Sequence, residues 1–246
     1  MQEESASTFK GYFKTTNTLL YSFLVSLPLF LLYEVLIIIS QPEAQQIVRI
    51  SVDVWIKSLF TYVGVNAVSF SLLLIAVAGV GILVKERERL KSLRFSYFPL
   101  LLLEATLYAV VVAFISNFLV SLVVNMQSSD PIHSLSIIQQ FALSLGAGLY
   151  EELFFRVILV SALSFVLVKI FKKEWAGITA AVLLAALLFS AVHYLGSMGD
   201  AFTLRSFLFR FTFGLILNGI YVWRGFGVAA WTHAIYDIMV LVLFSP

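Results

Sequence analysis

Residues 138–170 read IQQFALSLGAGLYEELFFRVILVSALSFVLVKI, with Glu151, Glu152, Arg156 and Lys169 as the only charged side chains. A helix crosses the hydrocarbon core of a bilayer with about 20 mostly apolar residues. This stretch is longer, so it must tilt, bend or protrude. An ionisable group in hydrocarbon costs several kcal/mol unless it is paired or wet, so each of the three central charges is a functional candidate.

Working outward, six further stretches have the length and apolarity of a span: 19–39, 64–84, 98–125, 175–195, 206–222 and 226–245. Pro28 is expected to kink the first. Residues 44–62 differ, mixing Ile47, Ile50, Val54 and Leu59 with Arg49, Asp53 and Lys57. That pattern suits an amphipathic helix at the interface, with an eighth span as the alternative. The expected fold is all-α, a polytopic transmembrane bundle of about seven spans forming one membrane domain over 1–246.

Composition agrees. The chain is 61% hydrophobic and 12% charged, with a mean hydropathy of +0.98. Soluble domains carry roughly a quarter charged residues. A net charge of +2 with no basic arm argues against nucleic acid as a partner. Cysteine is absent, which removes disulfides, thiolate nucleophiles and Cys-based metal sites. Glu3 and Glu4 stand where a signal peptide has its basic region, so the first span is expected to remain as an anchor.

Basic residues set the expected orientation. With the N-terminus in the cytoplasm, the inner side holds Lys10, Lys14, Lys85, Arg87, Arg89, Lys91, Arg94, Lys169, Lys172, Lys173 and Arg224, and the outer side only Arg49, Lys57 and Arg205.

Polar residues gather in the C-terminal half: Glu151, Glu152 and Arg156, then Phe189 and His193 in FSAVH, then His233 and Asp237 in HAIYD. On a helix of 100° per residue, Glu152 and Arg156 are i,i+4 and pair. Glu151 points away from Arg156 and is left free to serve as a base. His233 and Asp237 are also i,i+4, so the carboxylate can orient the imidazole. Gly146 and Gly148 allow close helix approach or a local break, and Gly196 and Gly199 mark a second place where helices part. Charge pairs in a bundle can be plain glue, and a lone histidine or Phe189 is ordinarily packing. Five such groups in three apolar elements of the C-terminal half favour function. Glu34, Glu104, Asn117, Arg210 and Asn218 are further buried polar groups, with Glu34 or Glu104 a candidate partner for Arg210. His133 reads as a loop residue. With straight spans, Glu151, His193 and His233 would lie ten or more Å apart in depth, at ~1.5 Å per residue. A common site therefore requires tilt, shifted ends or a broken helix.

The ordered set Glu151-Glu152-Leu153-Phe154-Phe155-Arg156, Phe189 to His193 and His233 to Asp237 resembles the CAAX protease and bacteriocin-processing (CPBP, or Abi) family of intramembrane peptidases, over about residues 138–246. The segment from Phe213-Gly214 through Gly219 is also similar. The resemblance implies that Glu151 and His193 activate water, that His233 and Asp237 stabilise the oxyanion, and that Glu152, Arg156 and Phe189 support the site. It implies an endopeptidase acting on a membrane-bound or lipidated peptide, in CAAX-type, bacteriocin or peptide processing or in self-immunity. Lipid and a hydrophobic or lipidated peptide or protein are the expected partners, in a plasma membrane of prokaryotic type. No cofactor is expected. A zinc ion, if present, would take His193, His233 and Glu151, or Asp237 in its place, but no HExxH is present. Competing readings are a proton-coupled transporter using the same charges, and a non-catalytic immunity or scaffold protein.

Overall fold

In lipid, backbone N–H and C=O groups have no water to bond, so apolar runs satisfy them within helices. A computed structural model describes residues 10–40, 52–55, 67–121, 135–195 and 199–244, and among these it holds helices and no strand. After a short helix at 10–16 come seven long ones: α1 (Leu19–Ser40), α2 (Ala67–Lys85), α3 (Tyr97–Ser121), α4 (Ile137–Phe171), α5 (Glu174–Val192), α6 (Leu204–Arg224) and α7 (Phe226–Phe244). They fall on the seven expected stretches. By length and apolarity α1, α3, α4, α5 and α6 can cross a membrane, and α2 and α7 contain shorter apolar helices, Ile75–Lys85 and Phe226–Val242. Pro28 lies inside α1, which continues through it.

The 35 residues of α4 would reach ~52 Å as a regular helix, well beyond a ~30 Å hydrocarbon core. Its middle is not regular. Ala147–Glu151 and Leu153–Val160 are π-helical, so the motif glutamates sit on widened turns. Such turns collect at functional sites. The 100° arithmetic therefore does not describe this segment, although the expected Glu152–Arg156 pair forms.

α7 is the hub, packing on α1, α3, α4 and α6. Its Ala229, Ala230 and Ala234 are fully buried, and small side chains let helices approach closely. Gly148 of α4 completes that approach. A Cβ added there would lie 2.5 Å from the Ala230 carbonyl oxygen and 2.6 Å from Ala234 Cβ. Gly148→Val should push α4 off α7, with lower folded yield and a lower melting temperature in a detergent thermal-shift assay. α6 and α7 are joined by Gly225 alone, at φ 83°, a value that favours glycine. The outcome is an antiparallel pair that brings Phe213 and His233 level.

The candidate pairing of Arg210 with Glu34 or Glu104 is corrected. Glu104 joins Arg224 rather than Arg210, through Arg224 Nε–Oε1 at 2.5 Å and Nη2–Oε2 at 2.8 Å. Tyr12 and Tyr108 donate to the same carboxylate at 2.7 and 2.8 Å. Burial, then the Glu104 carboxylate, pushes the Tyr12 phenol up and keeps it a donor. Arg224 is 2% exposed and stacks on Phe13. Arg210 pairs with Asp200, a residue within its own neighbourhood in the chain. Glu34 accepts from Tyr150 at 3.1 Å. These partners were missed because sequence spacing is silent about contacts 92 to 120 residues apart.

Of the 44–62 segment only 52–55 is described. It is helical, and Asp53 is 0% exposed and accepts from Tyr33 at 2.7 Å, so this turn packs against α1. The rest of that segment, His133 and Gly196 lie outside the described residues.

Candidate active site

Phe189 sits at the crossing of α4, α5, α6 and α7. Its ring meets Phe155 at 5.1 Å, His193 at 4.9 Å, Phe213 at 6.3 Å and His233 at 6.4 Å between centroids. The Arg156 guanidinium lies 4.6 Å from the ring centroid, in cation–π range. These contacts gather α4, α5 and α7 in one layer, so the depth mismatch of straight spans does not arise. The π-turns and the end of α5 at Val192 are the irregularities that permit it.

Glu152 bridges two partners. Its Oε1 accepts from His233 Nδ1 at 2.7 Å, and its Oε2 stands 2.9 Å from Arg156 Nε, with both Glu152 and Arg156 side chains 0% exposed. The Arg156 contact is an ion pair without hydrogen-bond alignment, and its Nη1 and Nη2 find no hydrogen-bond partner among the described residues. Removing one member of a buried pair strands the other charge. The His233–Glu152 bond was not legible, because only the Arg156 partner shares a helix with Glu152.

His193 is the residue just after α5. Its Nδ1 lies 2.7 Å from the Phe189 carbonyl oxygen. A carbonyl can only accept, so Nδ1 carries the hydrogen and the neutral ring presents a bare Nε2. Glu151, half-buried on its π-turn, makes no hydrogen bond or ion pair among the described residues, while its charge reaches His193, His233 and Arg156. Asp237 Oδ2 is 3.5 Å from His233 Nε2, too long for a good hydrogen bond. The expected orienting contact is therefore loose, and Glu152 is the residue that fixes the imidazole.

Phe213, which the sequence marks only as part of the family-like segment with no role of its own, has its ring 4.9 Å from His233 and 4.6 Å from Tyr236. At the adjoining Gly214 a Cβ would come 2.8 Å from Phe189 Cδ1. No three His, Asp or Glu residues among those described converge as a metal-binding group. His233 gives Nδ1 to Glu152 and keeps Nε2 on the side of Asp237.

The fold and this cluster define a class: an all-helical integral membrane protein with a carboxylate and histidine site built on apolar helices. Residues 133–239, which hold all three motifs, match the family model described as type II CAAX prenyl endopeptidase Rce1-like. That segment is similar to this family, and the apolar helices around it make the protein an integral membrane protein. Neither curated proteins nor solved structures give a significant match.

Proposed function

We propose that the protein is a metal-independent intramembrane endopeptidase in which Glu151 and His193 activate water. The observation that carries this reading is the division of labour between the two glutamates: Glu152 is consumed by His233 and Arg156, and Glu151 is left to act. Water gives a proton to Glu151 or His193 Nε2 as its oxygen bonds to the peptide carbonyl carbon. The negative charge moves to the carbonyl oxygen, where His233, with Asp237 beside it, stabilises it. The C–N bond then breaks, and the proton held by Glu151 or His193 passes to the leaving amine. A donor held in place for the developing charge typically contributes 10²–10³-fold. Glu152 supplies that placement by anchoring Nδ1. Arg156 and Phe189 hold Glu152 and the two imidazoles in register.

The family match and the apolar surroundings of the site support a lipidated peptide end as substrate, with the N-terminus of the enzyme in the cytoplasm as the basic residues favour. The test uses purified protein in proteoliposomes and three peptides: one prenylated near its C-terminus, the same peptide unprenylated, and an unrelated hydrophobic peptide. Mass spectrometry should find a new C-terminus in the prenylated peptide alone. Equal cleavage of all three would remove the lipid from the recognition, and cleavage of none would count against the peptidase reading.

A further inference from the structure

Between α5 and α6, Tyr194 and Asp200, with Ser206 and Arg210 of α6, form a polar cluster that the proposed chemistry does not use. Arg210 of α6 is its centre. Nη1 donates to Ser206 Oγ at 2.6 Å and to the Tyr194 hydroxyl at 3.1 Å, and Nη2 donates to the Asp200 carboxylate. The guanidinium also lies 5.3 Å from the Tyr194 ring centroid. Tyr194 and Ser206 bond to each other at 2.7 Å. The Asp200 backbone N–H donates to the carbonyl of His193 at 2.9 Å, which closes the cluster on the proposed base.

His193 stands where a helix runs out of its own hydrogen-bond donors. The last carbonyls of α5 need partners from outside the helix, and Asp200 supplies one to the residue that matters. The His193 ring is tied at Nδ1 to Phe189, one turn back on α5. That bond fixes the ring only as well as the backbone at 193 is fixed. Asp200 fixes the backbone, and Arg210 fixes Asp200. The described contacts of the Arg210 guanidinium fall on Tyr194, Asp200 and Ser206, between His193 and the first turns of α6.

The geometry points to Asp200 and Arg210 as positioning residues for His193: their ion pair holds the Asp200 N–H on the His193 carbonyl and thereby sets where the Nε2 edge stands. This rests on the proposed role of His193. Two measurements keep the inference and that role separable. The chain has three histidines, so ¹⁵N-histidine NMR of the full-length protein in nanodiscs, with His133→Gln and His233→Gln for assignment, reads the His193 ring without any need for activity. In wild type it should show one Nδ1–H tautomer. In Asp200→Asn and Arg210→Gln that signal should broaden or average, while the melting temperature stays near wild type. In the cleavage assay both variants should lose about 10- to 100-fold in kcat with KM within about twofold, as expected for a group displaced by up to 1 Å. Arg210→Lys should recover part of the rate, and the exchange Asp200→Arg with Arg210→Asp more of it than the sum of the single losses allows.

An unchanged tautomer signal in both single variants would overturn the inference. So would a rise in KM with kcat intact, which would make Arg210 a substrate contact. If wild type cleaves no peptide, the proposed function fails, and the NMR result still decides whether Asp200 and Arg210 hold His193.

Discussion

Glu152→Gln should cost the protein both its activity and much of its stability. The substitution leaves Arg156, 0% exposed, without its counter-charge and takes the anionic acceptor from His233 Nδ1. Breaking a buried pair by removing one partner costs about 3–5 kcal/mol. For a chain of this size that is a fall in melting temperature on the order of 10 °C. Cleavage per folded molecule should fall by about 10²–10³-fold, the cost of losing one preset oxyanion donor. The two effects can be parted. Glu152→Gln combined with Arg156→Met removes both charges and fills the same space, so stability should return in large part while activity stays lost. If the double variant cleaves like wild type, Glu152 is glue and His233 needs no anchor.

The second large effect is expected far from the chemistry. Arg224→Met strands Glu104 with only Tyr12 and Tyr108 as donors, in the place that ties the 10–16 helix and α3 to the end of α6. The loss should again be about 3–5 kcal/mol, and Glu104→Gln in the same chain should restore most of it. Activity per folded molecule should hardly change. Phe213 lies eleven residues before Arg224 on α6, which is about 16 Å along the helix. Thermal melting and kcat, measured on the same samples, check both halves. A fall in kcat without a fall in stability would mean that the clamp reaches the site.

These two pairs also mark what could be read from the chain alone. Glu152 and Arg156 share a helix, so their spacing announced the contact even though the turns between them proved π-helical. Spans were legible for a similar reason. Lipid leaves the backbone one local solution, and long apolar runs with charges at their ends delimit it. The motif order at Glu151, His193 and His233 predicted a common site, and the contacts of Phe189 bring those helices together. What stayed hidden depends on packing. Glu104 and Arg224 are 120 residues apart, and Glu34 and Tyr150 are 116 apart. Arg210 looked like a cation in search of a buried glutamate, when its partner Asp200 lay ten residues away, between α5 and α6. The π-turns left no trace beyond Gly146 and Gly148. Those glycines fit equally with the close approach of α4 to α7 that Gly148 makes.

The transporter reading would use Glu34, Glu104 and Arg210 as a relay. Each is bonded to a neighbour outside the Glu151 cluster: Tyr150, Arg224 and Asp200. Of the three, only Arg210 reaches the Glu151 cluster, through Asp200 and the His193 carbonyl.

Single-turnover cleavage of the prenylated peptide by wild type, Glu151→Gln and His193→Ala, each with and without a chelator, tests the central claim most directly. Wild type should cleave at the same rate with chelator present. Each substitution should slow the reaction by about 10²–10⁴-fold, the usual contribution of a general base, while the melting temperature stays close to wild type. Cleavage by Glu151→Gln at the wild-type rate would contradict the assignment of the base. Loss of wild-type activity with chelator, restored by zinc, would contradict the metal-independent mechanism.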